Sequence, residues 1–200
     1  MQAKIRIVGH RRSGTNYIEH LFKRNLTAQI VKKGKYLMPD NEIDCPTYQV
    51  IRNPYDLMSS LYDWGKRHWF HKPEFAGYIQ SRRKWNLDEF IIAPLASGDG
   101  ALKNETPLEY YIRFIMAWQR YTPLLVRYED AVLHPQKILN SVFARRVGEF
   151  VPVDECVSPR GSRNPEFNLF NTKMLLKQST VRYVTRVVEP VRHLWPEVFE

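Results

Sequence analysis

"AKIRIVGHRRSGTNYIEHLFKR", residues 3–24, reads as a strand, a turn and a helix in succession. "AKIRIVG" (3–9) alternates charged with apolar residues and closes on glycine, the pattern of a strand running into a turn. Beyond the turn Tyr17, Ile18, Leu21 and Phe22 recur at i, i+1, i+4 and i+5, which lines one face of a helix over roughly residues 14–24. A strand, a glycine-bearing loop and a helix in this order aim backbone N–H groups and a positive helix end at a bound anion. Gly9 and Gly14 keep the spacing of the phosphate-loop pattern G-x-x-x-x-G-K-[ST], but Thr15 stands at its lysine position and Asn16 at its magnesium-binding hydroxyl. The stretch keeps an anion cradle and loses the parts that handle ATP with a metal. In that cradle Ser13, Gly14, Thr15 and Asn16 offer neutral donors, while Arg11 and Arg12 offer charge and a fork of N–H groups. The plainer alternative is a polar turn that caps a helix.

The same logic recurs at "TYQVIRNPYDLMSSLYDW" (47–64). "YQVI" reads as a strand, Asn53 as a helix N-cap, Pro54 as the first helical residue, and Asp56 as an acid favouring the positive helix end. Arg52 thus stands where a strand ends and a helix begins. Ser60 lies about 10 Å further along the helix at ~1.5 Å per residue, so an anion shared by both needs the long arginine arm.

In "NETPLEYYIRFIMAWQRY" (104–121), Thr106 and Glu109 form a capping box around Pro107, with Leu108, Tyr111, Ile112, Ile115 and Met116 as an apolar stripe. "PLLVRYED" (123–130) reads as a buried strand, and a helix from Pro135 turns Ile138, Leu139, Val142 and Phe143 inward. "VRYVTRVVEPVRHLW" is helix-like up to Pro190, whereas 65–103 and 150–172 lack clear periodicity. Strands alternating with helices predict an α/β fold: a central parallel sheet flanked by helices in a three-layer sandwich, with ligands at the strand C-terminal ends.

The 200 residues, 44% of them hydrophobic, suffice for one well-buried core, so the reading is a single domain over 1–200. A net charge of +9 favours an anionic partner of unspecified kind. Cys45 and Cys156 can make no disulfide framework and show no metal-ligand spacing, which fits a reducing compartment and no structural metal. The sequence shows no apolar signal region and no run near the ~18 apolar residues that span a bilayer, so the expectation is a cytoplasmic protein with no membrane span.

Taken in order, "RRSGTNY" opening a helix, "RNPYDLMSS" after a strand, and "TPLLVRYEDAVLHP" resemble the sulfotransferases that use 3′-phosphoadenosine 5′-phosphosulfate. The likeness is closest to short bacterial and phage-type members, which "NETPLEYY" before an aromatic helix also resembles. It implies a P-loop-like fold in which Arg12, Ser13, Gly14, Thr15 and Asn16, with Arg11 beside them, hold the 5′-phosphosulfate. Arg52 and Ser60 would hold the 3′-phosphate, and the third element would be mainly structural. The family's C-terminal basic-glycine loop maps onto Arg160 and Gly161 in "SPRGSRNP" (158–165), although the spacing there departs from the usual one and a solvated turn fits as well. A lysine in the first loop contacts the bridging oxygen in many members. Arg12 takes its place here, and because arginine is no acid at neutral pH its role is electrostatic. The transferred sulfuryl group carries less charge than a phosphoryl group, so no metal is implied.

The general base is open. Members often carry a histidine one strand after the loop helix, but "QIVKKGKYLMP" offers Lys32 and Lys33 instead. Lys33, Asp40, Glu42, Asp44, His68 and His71 all lie in eligible intervals, with Lys33 and His71 taken as the catalytic candidates beside Arg12. "LYDWGKRHWFHKPEFAGYIQSRRKW" (61–85) interleaves aromatic and basic residues, which suits the wall of an acceptor site for a small molecule or glycan. Two other readings compete. A P-loop kinase-like phosphotransferase would need an unconventional magnesium site. A non-enzymatic nucleic-acid or polyanion binder using 61–85 would leave the two ordered phosphate motifs unexplained, so no nucleic-acid partner is expected.

Overall fold

The structure, a computed structural model, describes residues 3–31, 38–39, 44–68, 85–94, 105–121, 123–153 and 172–199, the side chains of residues 67 and 68 excepted. In chain order the described elements are strand β1 (Ala3–Gly9), helix α1 (Thr15–Asn25), β2 (Ala28–Val31), β3 (Thr47–Ile51), α2 (Pro54–His68), α3 (Leu87–Ile92) and α4 (Pro107–Gln119). There follow β4 (Leu124–Arg127), α5 (Tyr128–Leu133), α6 (Pro135–Asn140), a 3₁₀ turn (Thr172–Leu175), α7 (Gln178–Val188), a second 3₁₀ turn (Glu189–Leu194) and α8 (Pro196–Phe199). The chain divides into two compact units, Met1–Arg52 with Ile115–Phe167 and Asn53–Phe114 with Asn168–Glu200.

The first unit carries a four-stranded, all-parallel sheet in the order β2-β1-β3-β4, flanked by helices, which makes the class α/β as expected. From β1 the chain crosses to β2 on one side and then back to β3 on the other, so the strand order reverses between β1 and β3. Such a reversal opens a crevice at the strand C-termini, because the connections leave in opposite directions. The register pairs Gly9 with Val50, so the loop after β1 runs beside the last residues of β3.

One sheet face presents Ile5, Ile7, Tyr48, Val50 and Val126 to Tyr17, Ile18, Leu21 and Phe22 of α1 and to Tyr128, Ala131 and Leu139. Each fully buried aliphatic side chain there contributes about 1.5–3 kcal/mol, which fixes α1, and with it the loop, against the sheet. The charged positions of β1 differ from the alternating expectation. Lys4, near the start of the strand, is exposed, but Arg6, further along the same face, is buried and donates to Asp44 Oδ1 at 2.9 Å. At the edge the deviation is opposite: Leu124 and Leu125 of β4 are exposed, since a strand at the end of a sheet lacks a neighbour to cover it. Phe143 is also exposed rather than inward, because α6 stops at Asn140 and the helical phase does not reach it. Met116 is likewise exposed at the rim of the α4 stripe, whose other members are buried.

In the second unit the expected helix starts are present. Asn53 Oδ1 accepts from Tyr55 N at 3.0 Å, and Thr106 and Glu109 cap each other's backbone at 3.1 and 2.8 Å. Asp56 lies in the first turn of α2, as expected, and also accepts from Thr172 Oγ1 at 2.8 Å. Tyr55 stacks on Phe199 and Tyr111 tilts against Trp195 inside this unit. Among the described residues no helix is long and apolar enough to cross a membrane.

Candidate anion-binding site

The loop after β1 is shaped by two left-handed residues. Ser13 N donates to the His10 carbonyl at 3.1 Å and closes a turn whose third residue, Arg12, has φ 70°. That is the position at which a type II turn ordinarily has glycine or asparagine, and for arginine it costs roughly 1–2 kcal/mol. Gly14 is left-handed too, at φ 94° and ψ 10°, while Ser13 between them keeps a negative φ. Alternation of hand is the backbone pattern in which successive N–H groups can turn toward one point, the geometry that an anion-binding concavity uses.

Both glycines are sterically required. A Cβ on Gly14 would come within 2.1 Å of the Tyr128 ring, and one on Gly9 would lie 2.6 Å from Ser13 Oγ. Ser13 and Thr15 are buried, and among the described residues the Ser13 hydroxyl has no hydrogen-bond partner. Arg11, Arg12 and Asn16 are exposed. The loop therefore has a neutral, buried floor and a cationic rim. Helix α1 begins at Thr15 without a side-chain cap and without an acid in its first turn, which leaves its positive end uncompensated by its own side chains.

Arg52 meets this loop by construction of the sheet. The β3–β4 register pairs Ile51 with Arg127, the last residues of the two strands, so the residues that follow them, Arg52 and Tyr128, are neighbours. The Arg52 guanidinium lies 4.9 Å above the Tyr128 ring, and its Nη1 donates to the Arg12 carbonyl at 3.2 Å. Arg52 is only 5% exposed, so these contacts act in a poorly solvated setting that strengthens them. Tyr17 meets the same tyrosine edge-on at 5.8 Å and donates its hydroxyl to the Ala131 carbonyl at 3.3 Å.

His10 completes the turn. Its Nδ1 sits 2.9 Å from the Arg11 carbonyl, an acceptor only, so this nitrogen carries the proton. Burial pushes its pKa down from 6.5 to about 4, with the neighbouring Arg11 charge acting in the same direction, so the ring is neutral at pH 7.

Of the residues singled out in the sequence, Arg11 through Asn16 and Arg52 come together in the first unit. Ser60 is half-buried on α2 in the second unit. Asp44 does not approach the loop: it pairs with Arg6 at 2.9 Å before β3 begins, whereas the loop follows the strand C-termini. Its own backbone N–H first, and then Arg6, hold its carboxyl below the usual range, which weakens it as a base. Lys33, Asp40, Glu42, His71, Arg160, Gly161 and the 69–84 part of the aromatic–basic segment lie outside the described residues, as does the side chain of His68. Two contributors had no sequence signal. Tyr128 reaches the loop only through strand register, and nothing local marks His10 as buried.

The chain matches no protein-family model and no curated protein.

Proposed function

We propose that the chain is a sulfotransferase of P-loop-like fold that moves a sulfuryl group from 3′-phosphoadenosine 5′-phosphosulfate to an acceptor hydroxyl. The observation that carries the reading is the bond from Arg52 to the Arg12 carbonyl. It joins the two ordered motifs of the sequence beyond the C-terminal ends of β1 and β3, the two strands between which the strand order reverses.

The residues present suit such a donor. The left-handed pair Arg12 and Gly14 suits a concavity for phosphosulfate oxygens, and the Ser13 hydroxyl, without a hydrogen-bond partner among the described residues, is a donor that an oxyanion can engage. Arg12 on the rim stabilises charge that grows on the bridging oxygen as the S–O bond to phosphate breaks. Arg52 answers the 3′-phosphate. The acceptor oxygen attacks sulfur in line, its proton passes to a base, and adenosine 3′,5′-bisphosphate leaves with the bridging oxygen.

The test follows formation of adenosine 3′,5′-bisphosphate from the phosphosulfate donor with a panel of phenols, glycans and hydroxyl peptides. Arg12→Ala should lower single-turnover transfer by about 10²–10³-fold, the scale for losing one preorganised transition-state donor, and weaken bisphosphate binding much less. No acceptor-dependent transfer, together with magnesium-dependent turnover of ATP, would replace this reading with a phosphotransferase.

A further inference from the structure

We propose that Arg52 is a positioning residue for the loop as well as a phosphate ligand: from its seat on the Tyr128 ring it clasps the Arg12 carbonyl and holds the anion nest in shape. Its role as ligand rests on the proposed function; its role as clasp does not.

A non-glycine residue stays left-handed only where its surroundings over-determine the backbone. Around Arg12 three constraints converge. Ser13 N is tied to the His10 carbonyl, the Arg12 carbonyl accepts from Arg52 Nη1, and Gly14 abuts the Tyr128 ring so closely that even a Cβ has no room. Two of the three run through the Arg52–Tyr128 pair, which the β3–β4 register sets in place. The loop is thus held from outside, by a neighbouring strand and the start of α5. The consequence is specific: affinity for an anion in the loop depends on Arg52 even when the ligand offers nothing for its charge to bind directly.

Adenosine 5′-phosphosulfate, which has no 3′-phosphate, separates the two roles. It is titrated calorimetrically beside adenosine 3′,5′-bisphosphate into wild type, Arg52→Ala and Arg52→Lys, and Ser13 amide exchange is followed by NMR in the ligand-free proteins. Arg52→Ala should weaken adenosine 5′-phosphosulfate by about tenfold or more and speed Ser13 exchange by about tenfold, the scale of a lost charge-assisted hydrogen bond. Arg52→Lys, which keeps one charged donor for the carbonyl but loses the planar guanidinium on the Tyr128 ring, should recover part of both losses and fall between wild type and Arg52→Ala. If Arg52→Ala weakens only the bisphosphate and leaves exchange unchanged, the clasp is refuted while the sulfotransferase reading stands. If wild type binds neither nucleotide but exchange still responds, the clasp stands and that reading falls. Should Arg52→Ala not fold, Tyr128→Leu carries the test: faster Ser13 exchange supports the clasp, and an unchanged rate overturns it.

Discussion

Replacing Arg12 by glycine should make the protein more stable than replacing it by alanine. Both substitutions remove the same exposed side chain and its contacts, so their difference isolates the backbone at φ 70°. Alanine keeps the left-handed cost of roughly 1–2 kcal/mol, and glycine relieves it. Against this, glycine gives the unfolded chain extra freedom that costs about 0.4–1 kcal/mol. The net is about 0.5–1 kcal/mol in favour of Arg12→Gly, or roughly 1–4 °C in Tm for a chain of this size. Urea unfolding at neutral pH and a thermal scan measure it, with sulfuryl transfer assayed on the same samples. Activity should fall by about 10²–10³-fold in both variants, because both lack the guanidinium. Strain at Arg12 would then be the cost of presenting this side chain at the rim. An alanine variant at least as stable as the glycine variant would refute the strain argument, and transfer unaffected in both would refute the role given to the side chain.

Gly14→Ala combines a left-handed penalty with a contact of 2.1 Å to the Tyr128 ring, so it should destabilise by about 2–5 kcal/mol in urea unfolding and abolish bisphosphate binding. His10 has a folded pKa of about 4 against 6.5, so the unfolded chain binds more protons between these values and stability falls as pH drops through that window. About 2 kcal/mol should be lost between pH 7 and 4.5, a loss that His10→Gln should largely remove when unfolding is measured at both pH values. Asn25 is buried, donates to the Leu21 and Val151 carbonyls at 2.9 Å each and accepts from Val151 N at 2.8 Å. Asn25→Ala should therefore cost about 2–3 kcal/mol in unfolding while leaving bisphosphate affinity in the folded protein unchanged, since Asn25 ends α1 and the loop precedes it.

Local chemistry was legible in the sequence, and contacts set by register were not. The face formed by Tyr17, Ile18, Leu21 and Phe22 is buried, α1 runs over Thr15–Asn25 against the 14–24 expected, and the caps at Asn53 and Thr106 are made. These rest on neighbours within a turn or two. The helix Leu87–Ile92 lies in a span without clear periodicity, yet its capping box is readable: Asn86 and Glu89 stand at the required spacing and bond each other's backbone. Strand β2 is only Ala28–Val31, too short for its alternation to register. The exposure of Leu124 depends on which strands are central and which lie at the edge, a property of strand order that periodicity does not encode. For the same reason the loop was legible as a motif, whereas the Tyr128 ring beneath Arg52, so distant along the chain, was not.

In the proposed function the loop and Arg52 together hold a nucleotide bearing both 5′- and 3′-phosphates. Isothermal titration of the wild-type chain with adenosine 3′,5′-bisphosphate, beside ATP with magnesium, tests it most directly. Saturable one-to-one binding of the bisphosphate is expected in the absence of any metal, weakened by Arg52→Ala, with markedly poorer binding of ATP. Binding of ATP with no heat from the bisphosphate would contradict it.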